Sequence, residues 1–305
     1  MNGARRHGHR GDGGCSRPAR VIARPVSCVI AQPVTRVLAL VTSLIWSASA
    51  SADQKPLWEF GLGPGALVLM DYRGADTSHA YPLPVPYFVY RGKFLQADRD
   101  GLKGKLFDQR FAELHISLSA TPPVRESAAR IGMPDLRSTV EVGPALDLRL
   151  WRSAHERVKF DLLLSARTAM TVEARPRGIG WLLDPHLSVD IDSPAGATGW
   201  KLGLLAGPLF QTRRYNDYFY TVAPQYATQQ RPQYEASGGY SGTQLLAALS
   251  KRFPRYWTGA YVRYDTLSGA VFAGSPLVKR DSYWSAGFAV AWMISRSSQQ
   301  VEASD

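Results

Sequence analysis

Polar and apolar residues alternate from Thr139 to Glu173 in two runs joined by a short polar turn. In the second run Val158, Phe160, Leu162, Leu164, Ala166, Thr168, Met170 and Val172 share one parity. Lys159, Asp161, Leu163, Ser165, Arg167, Ala169, Thr171 and Glu173 share the other. Side chains of a β-strand change face at every residue, so period two over about fifteen residues predicts a strand far longer than the usual ~5–6. The first run repeats the pattern. Val140, Val142, Leu146, Leu148 and Leu150 fall on one face, with Pro144 as the exception, and Glu141, Gly143, Ala145, Asp147 and Arg149 fall on the other.

Strands of this kind fit two architectures. In a soluble sandwich or lipocalin-like barrel the apolar face points inward. In a transmembrane barrel it meets lipid and the charged face lines the interior. Alternation alone does not choose between them, so the rest of the chain must.

Further strands are expected at Trp58–Met70, Pro84–Arg91, Phe94–Ala97, Leu102–Phe107, Phe111–Ala120, Trp181–Ile191, Trp200–Thr212, Thr243–Arg252, Trp257–Leu267 and Ser282–Ile294. Pro82, Pro84 and Pro86 are unusual for a strand interior. With the central pair the count is about twelve, within a range of about 10–14. Connections alternate in length. Arg152–Arg157, Asp192–Gly199 and Phe253–Tyr256 are short, whereas Thr121–Arg137, Arg213–Gly242 and Ser268–Asp281 are long. Short turns on one side and long loops on the other, with an even strand count, are outer-membrane features that a soluble sandwich has no reason to obey. Trp58, Trp151, Trp181, Trp200, Trp257 and Trp284 lie near strand ends, as an interfacial aromatic girdle requires. The expected fold is therefore all-β, a closed antiparallel transmembrane β-barrel with short periplasmic turns and longer extracellular loops.

The N-terminal region supports export. Arg36 precedes the apolar run Val37–Trp46 and the small residues Ser47–Ala52, the layout of a cleaved signal peptide. The run is shorter than the ~20 residues of a spanning helix. The expected division is a disordered extension over 1–33, a signal peptide over 34–52, the barrel over 53–294 and a polar tail over 295–305. The first 52 residues hold seven Arg and one Asp, so their removal lowers the net charge from +11 to +5 and weakens any nucleic-acid reading. Both cysteines, Cys15 and Cys28, lie in the extension, which leaves no disulfide or thiolate site in the mature chain.

Candidate chemistry is sparse. Glu113, His115 and Ser117 share a strand face, but neighbours at spacing two stand about 7 Å apart, too far for a reliable Ser–His–acid relay. Asp184, His186 and Asp190 offer one imidazole, too few for a convincing metal site. The expectation is no catalysis, no metal and no cofactor, with Glu113, His115, Glu141, Asp161, Arg167 and His186 lining the barrel interior. Arg175, Arg177, Arg213, Arg214, Arg231, Lys279 and Arg280 belong in or beside the long loops, where they could pair with lipopolysaccharide phosphates or keep the loops soluble. Tyr215, Tyr218, Tyr220, Tyr226 and Tyr234 accompany them, as an interaction surface or as a plug folded into the mouth.

Several stretches occur in a familiar order. They are Gly63-Pro64, Asp71-Tyr72-Arg73-Gly74, Tyr90-Arg91-Gly92, Arg130-Ile131-Gly132-Met133-Pro134-Asp135-Leu136 and Glu141-Val142-Gly143-Pro144. Gly207-Pro208, Tyr215-Asn216-Asp217-Tyr218-Phe219-Tyr220, Arg231-Pro232-Gln233-Tyr234 and Ser275-Pro276-Leu277-Val278 follow. Together they resemble the MltA-interacting protein family, MipA/OmpV, over essentially all of the mature chain. The resemblance implies an outer-membrane protein of Gram-negative envelopes and marks Asp71, Tyr72, Arg73, Gly132–Leu136, Tyr215, Tyr218, Arg231, Pro232 and Tyr234 as family-motif positions available for interaction. It further implies a scaffold between a lytic transglycosylase and a murein synthase. A narrow pore for small polar solutes or a surface adhesin is the alternative. Membrane lipid and lipopolysaccharide are the expected surroundings, with no nucleic acid. The C-terminus departs from the family pattern, in which the last strand ends on an aromatic residue. Here Trp292-Met293-Ile294 is followed by the polar Ser295–Asp305.

Overall fold

A computed structural model describes residues 54–302, apart from 92–94, 99–100, 105–106, 109–110 and 126. The expected extension and signal peptide lie outside the described residues. Ten long strands form one antiparallel sheet: β2 (Trp58–Met70), β3 (Ser78–Arg91), β7 (Ala112–Thr121), β8 (Thr139–Arg152), β9 (Val158–Thr171), β10 (Gly178–Asp192), β11 (Trp200–Gln211), β12 (Gly239–Arg252), β13 (Tyr256–Thr266) and β14 (Ser282–Arg296). From β7 to β14 each strand pairs with the next in the chain, and β14 returns to pair with β2. The sheet therefore curls, and the first and last long strands are joined.

The strands expected at Phe94–Ala97 and Leu102–Phe107 are short pieces: β4 (Leu95–Asp98), β5 (Gly101–Gly104) and β6 (Phe107–Asp108). They supply the two ends of the sheet order, and β5 runs alongside β7. Two terminal segments, β1 (Gln54–Pro56) and β15 (Gln300–Glu302), form a separate antiparallel pair. The polar tail thus contributes a strand of its own.

The three prolines of β3 sit inside the strand, paired with Ala66, Pro64 and Leu62. Alternate residues aim their N–H groups at the same neighbour, so prolines at 82, 84 and 86 remove donors from one edge only. The ladder to β2 stays intact over the whole of β3. On the other edge β3 has described partners at Tyr90 and Arg91 alone, so the missing donors fall where little ladder exists.

Burial decides between the two architectures. Leu183, Phe288 and Trp284 are 53%, 60% and 63% exposed on the outer face, while Glu141, Ser165 and Asp265 are buried on the inner face. In water such an inversion would forfeit about 25 cal/mol for each Å² of apolar surface left exposed. In lipid it is the favourable arrangement. No helix among the described residues is long and apolar enough to cross a membrane.

Candidate functional site

The inner face carries a series of ion pairs set by cross-strand register. Glu113 and Asp147 are directly opposed on β7 and β8. Glu113 meets Arg149 at 3.1 Å, and His115 Nδ1 lies 3.6 Å from Asp147. Arg152 reaches Asp161 at 2.6 Å. The densest group centres on Arg167 of β9. Its Nε donates to Glu141 at 3.2 Å and its Nη2 to Asp184 at 3.1 Å, while Nη1 donates to Ser165 and Ser117 at 3.0 and 3.3 Å. His186 Nδ1 lies 3.3 Å from Asp184. One guanidinium thus holds two carboxylates, with most of its donors used. All six residues expected to line the interior, Glu113, His115, Glu141, Asp161, Arg167 and His186, lie on this face.

On the opposite side the stoichiometry reverses. Glu59 receives Arg252 at 2.9 Å and Arg91 at 3.5 Å. Asp265, fully buried, receives Arg263 at 2.8 Å and Arg73 at 3.4 Å. Each is one carboxylate shared by two guanidiniums. The sequence reading does not single out Glu59 or Arg252 and expects Trp257 in the girdle, although their parity relative to Phe60, Leu249 and Val262 places all three inward. Trp257 accordingly does not join the girdle. Trp151, Trp181, Trp284 and Trp292 do face outward and are more than half exposed. Among the described residues no group of three His, Cys, Asp or Glu side chains is placed to hold a metal ion.

At the long-loop end the chain builds a cap. The loops 71–77, 122–138, 212–238 and 267–281 contribute Tyr72, Val124, Leu136, Tyr215, Phe219, Tyr220, Ala236, Leu267, Ala270 and Phe272 to one buried cluster. Part of the 212–238 connection is a helix, α1 (Arg213–Tyr220). Its buried side chains are Tyr215, Asn216, Phe219 and Tyr220. This is the i, i+4 spacing of one helical face, a signal present in the sequence but short enough to pass as loop. Tyr220 stacks on Phe272 with ring centres 3.8 Å apart and planes at 7°.

Loop backbone buried this way needs partners for its carbonyls, and arginines provide them. Arg130 donates to the Phe219 carbonyl at 2.9 Å, and Arg73 to that of Ser241 at 2.6 Å. Arg231 donates to the carbonyls of Ile131 at 2.9 Å and Tyr226 at 2.8 Å. Tyr72 and Tyr220 hydroxyls donate to the carbonyls of Leu277 and Arg73 at 2.8 and 3.0 Å. Asp71 accepts from Thr77 and pairs with His79 at 3.0 Å. Tyr218 hydroxyl accepts from the Arg137 N–H at 2.8 Å, and Val222 bridges to Tyr234.

The family-motif residues therefore divide. Tyr72, Arg73, Leu136, Tyr215 and Arg231 are cap fasteners. Gly132, Pro134, Asp135 and Pro232 are exposed, and Met133 is half-buried. Gly132 adopts φ of 80°, the left-handed conformation glycine tolerates best, and lets the loop reverse after Arg130.

Burial marks the cap electrostatically. Desolvation pushes the Tyr72 hydroxyl up to about 12. It also raises Tyr220, and raises Tyr215 well above the ordinary range, with the Glu141 carboxylate adding to the effect on Tyr215. The Tyr215 hydroxyl donates to Glu141 at 2.8 Å, tying α1 to the Arg167 group below it. Cap and inner face are one hydrogen-bonded assembly.

Residues 62–294 match the family model described as MltA-interacting protein MipA. Outer membrane protein OmpV of Vibrio cholerae serotype O1 (strain ATCC 39315 / El Tor Inaba N16961) is 27% identical over 214 residues, covering 67% of this chain and 76% of that protein. Outer membrane protein Omp26La of Vibrio anguillarum is 26% identical over the same shares. Among solved structures, a bacterial polysaccharide outer membrane secretin aligns over 79% of this chain and 99% of its own, with 10% identity and a TM-score of 0.38. The inside-out wall and the motif residues of the cap agree with the family match and the two Vibrio relatives, and the chain belongs to the MipA family of outer-membrane proteins.

Proposed function

We propose that this protein is a non-enzymatic, closed and capped outer-membrane barrel that serves as a scaffold, linking murein-hydrolysing and murein-synthesising machinery to the membrane. The observation that carries the reading is the cap. Leu267, Phe272 and Leu277 in the loops at one end have no exposed surface, and Arg73, Arg130 and Arg231 staple those loops together. A mouth filled by a protein-like core is built for permanence rather than passage. The short turns at the other end then face the periplasm, where a murein enzyme would be met. The name of the family, MltA-interacting protein, supports a lytic transglycosylase as one partner. Outer-membrane lipid and lipopolysaccharide surround the wall.

The test joins two measurements. Protein reconstituted in planar bilayers is expected to give no stable single-channel steps, and cross-linked envelopes are expected to yield a lytic transglycosylase with it. The charged inner face favours a second reading, a narrow pore for small polar solutes. Stable conductance from the intact protein with no murein enzyme captured would replace the scaffold by the pore.

A further inference from the structure

Trp257 is the first inward residue of β13, at the short-turn end. Its indole lies along the strand over Gly259, in the space that a side chain at Gly259 would need. It meets Tyr87 of β3 with ring centres 5.5 Å apart and planes tilted by 36°. Two strands separate β3 from β13, and at the intervening inner positions they carry Gly61, Gly63 and Ala291. A Cβ on Gly63 would stand 2.8 Å from the Ala291 Cα, so this floor has no room for side chains. The two rings therefore meet above it as one aromatic shelf, and both remain partly open to the interior.

Charge lies beside the shelf. Arg252 is directly opposite Trp257 in the β12–β13 register, and Glu59 is two residues from Gly61. Glu59 holds both Arg252 and Arg91, at 2.9 and 3.5 Å. Arg91 spends another donor on the Pro56 carbonyl at 2.8 Å. The trio keeps one positive charge in excess, and Arg252 is the more exposed of its two guanidiniums.

We propose that this corner binds an acidic saccharide entering from the short-turn side. A pyranose ring has a face of C–H bonds, an equator of hydroxyls and, in a sugar acid, one carboxylate. The electron-rich shelf suits the C–H face. Glu59 offers acceptors to hydroxyl protons, and the guanidiniums offer donors in the planar fork that suits a carboxylate. A neutral apolar ligand would leave the charge unused, and a small aliphatic anion would leave the shelf unused. The inference is independent of the scaffold reading, since it needs no protein partner and no statement about conductance.

Calorimetric titration of the full protein in detergent micelles tests it, with glucuronate, glucose and benzoate as probes. Glucuronate is expected to bind saturably and glucose roughly fivefold or more weaker, a difference of about 1 kcal/mol. Trp257→Ala and Arg252→Gln are each expected to weaken glucuronate roughly fivefold or more, and Trp257→Phe to recover part of the loss. Far-ultraviolet circular dichroism of each variant confirms that the strands are retained. Absence of saturable glucuronate binding overturns the site. So does binding unchanged in both Trp257→Ala and Arg252→Gln. Glucose binding as tightly as glucuronate removes the acidic requirement, and benzoate binding more tightly than glucuronate removes the saccharide.

Discussion

In the wall of the sheet, Leu183, Phe288 and Trp284 lie open while Glu141 and Asp265 are buried. In the cap, Leu267, Phe272 and Leu277 are buried while the side chains of Arg213 and Glu235 are 65% and 69% exposed. The same amino-acid types are sorted in opposite senses a few residues apart. The cap is packed as a water-facing protein is, by removal of apolar surface from water. The wall has lipid outside, so its apolar face gains nothing by being covered, and its polar groups turn inward to find partners. The contrast teaches that what surrounds each region sets the sign of the pattern. The period belongs to the backbone.

Substitutions that act on one region alone can break this contrast. The largest effect is expected from Phe272→Ala, which removes a fully buried ring stacked on Tyr220 and should cost the cap about 3–5 kcal/mol. Limited proteolysis should then cut within 212–238 or 267–281 while the strand signal in circular dichroism persists. Loss of both together would show that cap and wall are one cooperative unit.

Next comes a pair of neighbours on β9. Leu164 faces outward beside Leu146 and Pro185, and Leu163 faces inward beside Asp147 and His186. Leu164→Arg should cost about 2–4 kcal/mol if it lies near the bilayer midplane. Leu163→Arg should cost much less, since the new cation arrives next to a carboxylate. Urea unfolding from lipid vesicles measures both, and equal costs would contradict the assignment of faces. Cysteine in place of each sharpens the answer, because the only native cysteines are Cys15 and Cys28. Position 164 should take a membrane-partitioned label and position 163 a water-soluble one.

Arg130→Gln should cost about 1–3 kcal/mol by leaving the Phe219 carbonyl without its charged donor. Hydrogen exchange over 213–220 should speed up, with β8 and β9 unchanged. The smallest effect at neutral pH comes from the buried tyrosines. Tyr72 ionises at about 12 in the folded cap against an ordinary 10.0. A raised value contributes stability that is complete below pH 10 and is lost as pH climbs through 12. Ultraviolet titration at alkaline pH should show late tyrosine ionisation with the cap loosening in that window, and Tyr72→Phe should delay the loosening. Ionisation of all tyrosines at the ordinary value would mean that the cap is open in solution.

What the sequence determined by itself was local. Period two over β8, β9 and β14 is visible because a strand alternates its faces residue by residue, and the parity of Glu141, Asp161 and Arg167 placed them together without any partner being known. The alternation of short turns with long loops was equally legible. Which face meets lipid is not in the parity, which is symmetric under exchange of inside and outside; connection lengths and tryptophan placement pointed to it, and the tertiary structure decided it by burial. It alone joined Tyr72 to Leu277 and Arg130 to Phe219, contacts 205 and 89 residues apart that leave no trace in neighbouring positions. It also seated three prolines in β3 by leaving them an edge with little ladder, and turned Trp257 inward over a glycine. These outcomes depend on what lies across the sheet or above it, and no stretch of chain carries information about a neighbour it meets only after folding.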